Sequence, residues 1–250
     1  RAAMLIKDYR LLSFGCLGTL IDRDSGLAAA LRPLALRLGT ALRRDDLLAS
    51  FARHEAVARA SGRHKTLQDL LTEAHAQLAR EWGVACSEGE HRLFARSVGD
   101  WPAYADAAGS LQYLKRYFRI AVLCDADRDT IRAVSRRLDV GFDLVCSAPD
   151  SGAFMPDNRA FGLLLAGAAR LGVAPGRSLH VAAHLSHDLL PAAEAGLDCA
   201  WLSRHTLRDL EDSPAGEQAM AGAPHAPRRF EYAFPSLAHL VRTHQEQIRA

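Results

Sequence analysis

Two short segments of the chain carry titratable side chains whose types suit proton transfer. Asp125 follows the apolar run FRIAVL (118–123), and His184 follows the apolar run SLHVAA (178–183). Both runs are typical of buried strands. Because an imidazole titrates near neutral pH and a carboxylate can exchange a proton with it, we expect Asp125 and His184 to act as an acid–base pair.

Two further aspartates, Asp127 and Asp129, follow Asp125 at a predicted helix start. Carboxylates at this end complement the helix dipole, so we interpret Asp127 and Asp129 as capping residues. The same carboxylates make this helix end unsuitable for binding an anion. For Asp125, capping is the alternative to a role as a base or a cation-binding group in a pocket.

A metal site is the other chemistry to weigh near His184, since His187 and Asp188 follow closely. The two histidines are three residues apart on a predicted loop, and no evident third ligand set accompanies them. A stable site needs a full set of ligands with a defined geometry. We therefore predict neither a metal nor another cofactor.

The five cysteines are odd in number and include no CxxC pair, which is typical of a reducing compartment rather than of disulfides or zinc. Cys16 and Cys124 end neighbouring predicted strands, and we expect them to lie close together. A helix start would favour a thiolate nucleophile at Cys124, whereas the nearby Asp125 and Asp127 would disfavour it. We favour a buried, inert cysteine.

Composition excludes several classes of protein. The 250 residues are 49% hydrophobic, enough for one domain of about 100–200 residues and a smaller one. A net charge of +2 gives no case for a nucleic-acid or membrane-surface partner. No apolar run reaches the ~18 residues of a membrane span, and the start lacks the hydrophobic region of a signal peptide. We expect a soluble cytoplasmic protein.

The order of predicted elements indicates how these residues are positioned. Tyr9 to Leu17 reads as a buried strand, and residues 25–98 space leucines and alanines as helices do. After Trp101-Pro102, short apolar strands alternate with amphipathic helices. This pattern predicts a doubly wound parallel sheet with its site at the carboxyl ends of the strands. The helical block, inserted after the first strand, should form a cap over that edge.

Near the end of the chain, residues 212–229 are rich in proline and glycine and read as a surface loop. Ser236 is expected to cap a closing helix.

Four segments, in order along nearly the whole chain, resemble the type II haloacid dehalogenase branch of the HAD superfamily. They are FGCLGTLID (14–22), LCDADRD (123–129), GAFMPDNRAF (152–161) and HLSHDLLPAAEAGLDCAWLSR (184–204). The resemblance implies a Rossmann-like α/β core of residues 1–22 and 101–250, with a helical cap of residues 23–100.

Family enzymes use an aspartate after the first strand as a nucleophile, forming an ester that water cleaves. A serine or threonine and a lysine in later motifs hold the substrate's anionic group. The matching positions here hold Gly15, Cys124 and Met155, and Asp125 replaces an asparagine. His184 stands where the family commonly has serine. The residues that shape the loops are kept, namely Gly18, Thr19, Asp22, Pro156, Asp157, Arg159 and Asp188.

Each replacement has two interpretations. Gly15 either provides a flatter, roomier pocket floor that lets a ligand approach the backbone, or marks a decayed site. Met155 fills apolar space where a lysine lost its partner.

His187-Asp188 matches a family dyad that is mainly architectural, and Arg53, His54 and Glu55 lie on a cap helix that could face the cleft. The predicted pocket residues are Gly15, Cys16, Thr19, Cys124, Met155 and Asp188.

Three functions follow. The first is a repurposed enzyme acting on a small organic substrate between cap and core, with Asp125 and His184 catalysing elimination, isomerisation, cyclisation or direct hydrolysis. The second is a non-catalytic pseudoenzyme that binds a ligand or serves as a partner subunit. The last is an active 2-haloacid dehalogenase, which Gly15 argues against. An enzyme predicts a closed, ordered pocket in which Asp125 and His184 converge within hydrogen-bond reach. A pseudoenzyme predicts a collapsed or side-chain-filled cleft, with an exposed apolar patch as a further sign. The sequence leaves a homodimer open.

Overall fold

The computed structural model describes residues 4–39, 41–63, 66–174, 176–204 and 230–250. Over these ranges the chain forms a parallel sheet with the strand order β3-β2-β1-β4-β5-β6. The strands are β1 (Leu11–Gly15), β2 (Arg119–Cys124), β3 (Leu144–Ser147), β4 (Ser178–Ala182), β5 (Asp198–Leu202) and β6 (Tyr232–Phe234).

Helices lie on each connection from β1 through to β5, as parallel pairing requires. The helices are α1 (Arg23–Arg37), α2 (Arg44–Ala60), α3 (Leu67–Glu81), α4 (Glu88–Arg96), α5 (Ala107–Leu114), α6 (Arg128–Leu138), α7 (Ala148–Ser151), α8 (Asn158–Arg170), α9 (Leu190–Glu194) and α10 (Leu237–Arg249). Short 3-10 turns lie at Ile6–Asp8 and Ser97–Asp100, and one π-helical turn lies at Leu185–Leu189.

Strands β1 and β4 lie at the centre of the sheet, and every residue in them is buried. Parallel pairing with the neighbouring strands brings the carboxyl ends of the strands to one edge of the sheet. Gly15 pairs with Leu123, and Val181 pairs with Ala200. The segments that follow β1, β2 and β4 therefore meet at that edge, which confirms the predicted doubly wound parallel architecture.

Helices α1 to α4, referred to as the cap, lie between β1 and β2 in sequence. Helix α2 packs on α3, and α3 packs on α4. Trp101, which is buried, ends this block and lies against the start of α1, where a Cβ on Gly26 would come within 2.3 Å of its Cγ. The inserted cap is therefore present as predicted. At position 26, only a glycine leaves room for the Trp101 side chain.

Local capping also agrees with the predictions. Asp127 accepts a hydrogen bond from the Thr130 N–H at 2.7 Å, and Ser236 accepts one from the His239 N–H at 3.3 Å. The sixth strand, β6, was not predicted, because three residues are too few to show a period. The loop predicted at residues 212–229 lies outside the described residues.

Among the described residues, no helix combines the length and the apolar character needed to cross a membrane.

Candidate functional site

A cavity of about 330 Å³ lies between the cap and the carboxyl ends of the strands. Both parts of the structure contribute to its walls. From the cap and the loop before it come Cys16, Leu17, Arg23, Ala52, Glu55, Ala56, Arg59, Leu67 and Leu71, and from the rest of the chain come Trp101, Leu123, Cys124, Asp125, Met155, His184, His187 and Asp188. The cleft is thus open enough for a small molecule.

Asp125, directly after β2, joins the two walls of this cavity. Its Oδ2 accepts a hydrogen bond from Arg59 Nη1 of the cap at 2.9 Å, and its Oδ1 accepts one from the Met155 N–H at 2.8 Å. The side chain is only 8% exposed. A carboxylate at such depth requires partners of this kind, because an unpaired buried charge is costly. Asp125 therefore connects the cap to the core.

His187 lies between two carboxylates in the same wall. Its Nε2 is 3.8 Å from Asp125 Oδ2, and its Nδ1 is 3.7 Å from Asp188 Oδ2. Burial lowers the pKa of His187, but the contact with Asp188 and the charges of Asp188 and Asp125 outweigh burial. The net effect raises its pKa above the ordinary value, while Arg59 opposes the rise. The two carboxylates therefore favour the protonated form of the His187 ring.

We predict that His187 titrates above the usual histidine pKa of about 6.5. The stabilisation gained from its protonated form is fully present below that value and is lost as the pH rises through the raised pKa. Histidine NMR titration measures this directly. Asp188→Asn should lower the pKa of His187, and Arg59→Met should raise it further. Titration of wild-type His187 below 6.5 would contradict the prediction.

A chain of alternating charges crosses the cavity wall from cap to core. Arg23 forms a short ion pair with Glu55, and Arg59 Nη2 lies 3.6 Å from Glu55 Oε1. From Arg59 the chain continues through the contacts described above. In order its members are Arg23, Glu55, Arg59, Asp125, His187 and Asp188. Each charge thus faces an opposite one.

Gly15 and Thr19 are not among the residues that line the cavity. A Cβ on Gly15 would lie 2.9 Å from Thr19 Oγ1, 3.3 Å from Asp188 Oδ1 and 3.3 Å from the Ala182 Cβ. Thr19 Oγ1 in turn accepts a hydrogen bond from the Ala183 N–H at 3.1 Å. The interpretation of Gly15 as a roomier pocket floor is therefore wrong, because neighbouring side chains fill the space.

His184 lines the cavity beside His187, with their ring centroids 6.3 Å apart. Its ring lies over Gly18, where a Cβ would come within 2.3 Å of Nε2. Gly18 also has a φ of +86°, a backbone conformation that favours glycine. The imidazole that contacts Asp125 across 3.8 Å is that of His187. Pairing of Asp125 with His184 stays a prediction.

Two cysteines and Met155 form an apolar part of the cavity wall. Cys16, Cys124 and Met155 all line it and are 3%, 5% and 4% exposed. A hydrogen bond with Cys16, together with burial, raises the pKa of the Cys124 thiol well above its usual value. A thiolate nucleophile at Cys124 is thereby disfavoured.

Of the three cap residues singled out from the sequence, Glu55 alone lines the cavity. Arg53 and His54 instead pair with Glu81, at 3.0 and 2.6 Å. Sequence reasoning missed Arg59, although its spacing of four residues from Glu55 places the two on one helix face.

Within the described residues, no group of three or more His, Cys, Asp or Glu side chains is arranged to hold a metal ion.

Solved structures with the same fold include several L-2-haloacid dehalogenases. PA0810 matches with a TM-score of 0.75 and 23% identity, over 95% of this chain and 99% of its own. The enzyme from Xanthobacter autotrophicus matches with a TM-score of 0.72 and 20% identity, over 95% and 98%. The defluorinating enzyme Rha0230 matches with a TM-score of 0.72 and 24% identity, over 97% and 96%. No family model and no curated protein matches the sequence significantly. The chain therefore has the HAD fold, a Rossmann-like core with a helical cap.

Proposed function

We propose that this HAD-fold chain is a repurposed enzyme that lacks the aspartyl nucleophile and acts on a small organic substrate by acid–base chemistry. Gly15 stands at the nucleophile position of the resembling family, so no ester can form there. The observation that carries the proposal is His187, held between Asp125 and Asp188 in the wall of an open cavity.

In this proposal His187 is the proton donor. At 3.8 Å from Asp125, its Nε2 forms an ion pair rather than a hydrogen bond, so the Nε2 proton can be donated to a group in the cavity. Asp188 Oδ2, at 3.7 Å from Nδ1, attracts the other side of the ring and so favours this orientation. The reaction classes that need only such a group are elimination, isomerisation, cyclisation and direct hydrolysis.

Asp125 and His184 complete the proposed catalytic set. Each oxygen of Asp125 accepts one hydrogen bond and has a second lone pair, so in this proposal Asp125 accepts a substrate proton as Arg59 moves aside. Arg59 then becomes a cation available for negative charge that develops on the substrate. His184, against Gly18, supplies a second titratable group at the cavity wall.

The test incubates the purified protein with a panel of small organic compounds, including 2-haloacids, and follows consumption by mass spectrometry. We expect turnover of a non-halogenated compound and a loss of about a hundredfold or more in His187→Gln. The exposed His239, changed to Gln, is the matched control and should leave the rate unchanged. Halide release by the unmodified protein would overturn the proposal.

The second candidate function is a non-catalytic ligand-binding subunit. It is favoured because the charged side chains of the cavity wall are already paired with one another. Its signature is a compound that stabilises the wild type and His187→Gln equally in thermal unfolding and is recovered unchanged.

A further inference from the structure

Cys16 and Cys124 meet at the floor of the cavity. Strands β1 and β2 are parallel, with Gly15 opposite Leu123. Cys16 directly follows β1 and Cys124 is the last residue of β2, so the two cysteines come next to each other beyond this pair. The two side chains are close enough for Cys16 to raise the pKa of the Cys124 thiol. Both residues line the cavity, and the proposed acid–base chemistry uses neither of them. Two thiols are thus presented together to a small molecule.

The surroundings of this pair decide what it can bind. Both side chains are almost fully buried, and Asp125 lies directly beside Cys124 in sequence. Deprotonating the pair would place negative charge in this environment, which burial and the neighbouring carboxylate oppose. A cation that must displace the thiol protons is therefore disfavoured. A neutral ligand that leaves the site neutral avoids this cost.

The bound atom must also form a stable complex with only two cysteine sulfur ligands. Across the part of the chain that the structure describes, these cysteines belong to no group of three or more ligands of the kind that zinc needs. Soft, polarisable metal and metalloid atoms bind preferentially to thiol sulfur. A trivalent arsenic atom that carries one organic group has two exchangeable hydroxyls and meets both conditions.

We propose that Cys16 and Cys124 form a binding site for a small organic trivalent arsenical. The reaction is R–As(OH)₂ + 2 Cys–SH → R–As(S–Cys)₂ + 2 H₂O. Two As–O and two S–H bonds break, while two As–S and two O–H bonds form. Neither arsenic nor sulfur changes its oxidation state, and no net charge develops.

Apolar side chains are available for the organic group. Leu17, Leu67, Leu71, Trp101 and Met155 line the same cavity. Burying a hydrocarbon group against them adds a favourable term that a small inorganic ion does not have. The cavity thus favours an organic arsenical over arsenite. Binding does not depend on the proposed enzymatic function, since it requires no catalysis.

Titration of the intact protein with phenylarsine oxide tests the proposal, with intact mass and thiol counting as readouts. We expect one phenylarsenic group per chain, with loss of two free thiols and release by an added small dithiol. Cys16→Ser and Cys124→Ser should each weaken binding by about a hundredfold or more, because two linked contacts become one. Cys86→Ser, at the partly exposed cysteine, is the matched control and should bind as the wild type does.

Urea unfolding establishes that each variant is folded, and Cys16→Ala and Cys124→Ala replace any serine variant that is not. Equal binding by wild type and Cys16→Ser would overturn the proposal. So would a loss of binding in Cys86→Ser, or no uptake by the reduced wild type.

Discussion

Gly15→Asp is expected to lower the free energy of unfolding by about 3–5 kcal/mol, the cost of leaving a buried charge without a partner. A Cβ added at this position would lie 2.9 Å from Thr19 Oγ1 and 3.3 Å from Asp188 Oδ1. The new carboxylate would therefore face an existing one. Met155 now stands where the resembling family has a lysine, so the cation that would offset this repulsion is missing. Urea denaturation at pH 7 measures the loss.

Gly15→Asn, with the same shape and no charge, separates sterics from electrostatics and should cost clearly less. Met155→Lys added to Gly15→Asp should recover part of the loss, and a double-mutant cycle gives their coupling. Equal destabilisation by Asp and Asn, with no coupling to residue 155, would contradict the electrostatic explanation. If the chain descends from a dehalogenase, halide release from 2-haloacids should be confined to the double variant.

Acid is expected to destabilise the protein strongly between pH 6.5 and about 4, because two buried histidines must stay neutral in the folded state. Burial lowers the pKa of His180 to about 4, although the charge of Asp188 acts in the opposite direction. Burial and the neighbouring His91 lower the pKa of His75 to about 4, with Glu90 opposing. The unfolded chain takes up protons first as the pH falls, so each histidine costs up to about 3 kcal/mol by pH 4.

The neighbours of these histidines explain why neither can accept a proton easily. His180 Nδ1 lies 2.9 Å from Ser13 Oγ in the centre of the sheet, and its buried Nε2 has no hydrogen-bond partner among the described residues. His75 Nδ1 lies 2.8 Å from His91 Nδ1 in the cap, so one of these nitrogens must donate to the other. Protonating both rings would leave that contact without an acceptor.

Chemical denaturation across this pH range checks the effect. His180→Phe and His75→Phe should each flatten the loss of stability below pH 6.5, whereas His239→Gln, at an exposed histidine, should leave the slope as in the wild type. Since carboxylates also gain protons in this range, the difference between variant and wild type isolates each histidine. Unchanged slopes in both Phe variants would contradict the prediction.

The architecture could be predicted from the sequence because local patterns carry it. Runs such as FRIAVL and SLHVAA became β2 and β4, and the leucine spacing after β1 became the cap helices. These signals depend on residues close together in the chain. Tyr232–Phe234 was missed because a three-residue edge strand has no such period.

The site was predicted only in part, because its contacts join distant segments. Asp125 and His184 were proposed from their places after strands, and both line the cavity. Arg59, however, reaches Asp125 from a cap helix whose orientation no local pattern gives. The role of His187 depends on its distances to two carboxylates, which spacing cannot give. Gly15 was recognised as a departure from a motif, but the side chains that fill its space are visible only in three dimensions.

The alternating chain of side chains from Arg23 to Asp188 also sets how a ligand would be selected. With His187 protonated, its cations Arg23, Arg59 and His187 balance Glu55, Asp125 and Asp188, so the six carry no net charge. A site balanced in this way exerts little long-range attraction on charged solutes. The rate of ligand association should therefore depend little on ionic strength. The cavity should distinguish ligands by their shape and apolar area.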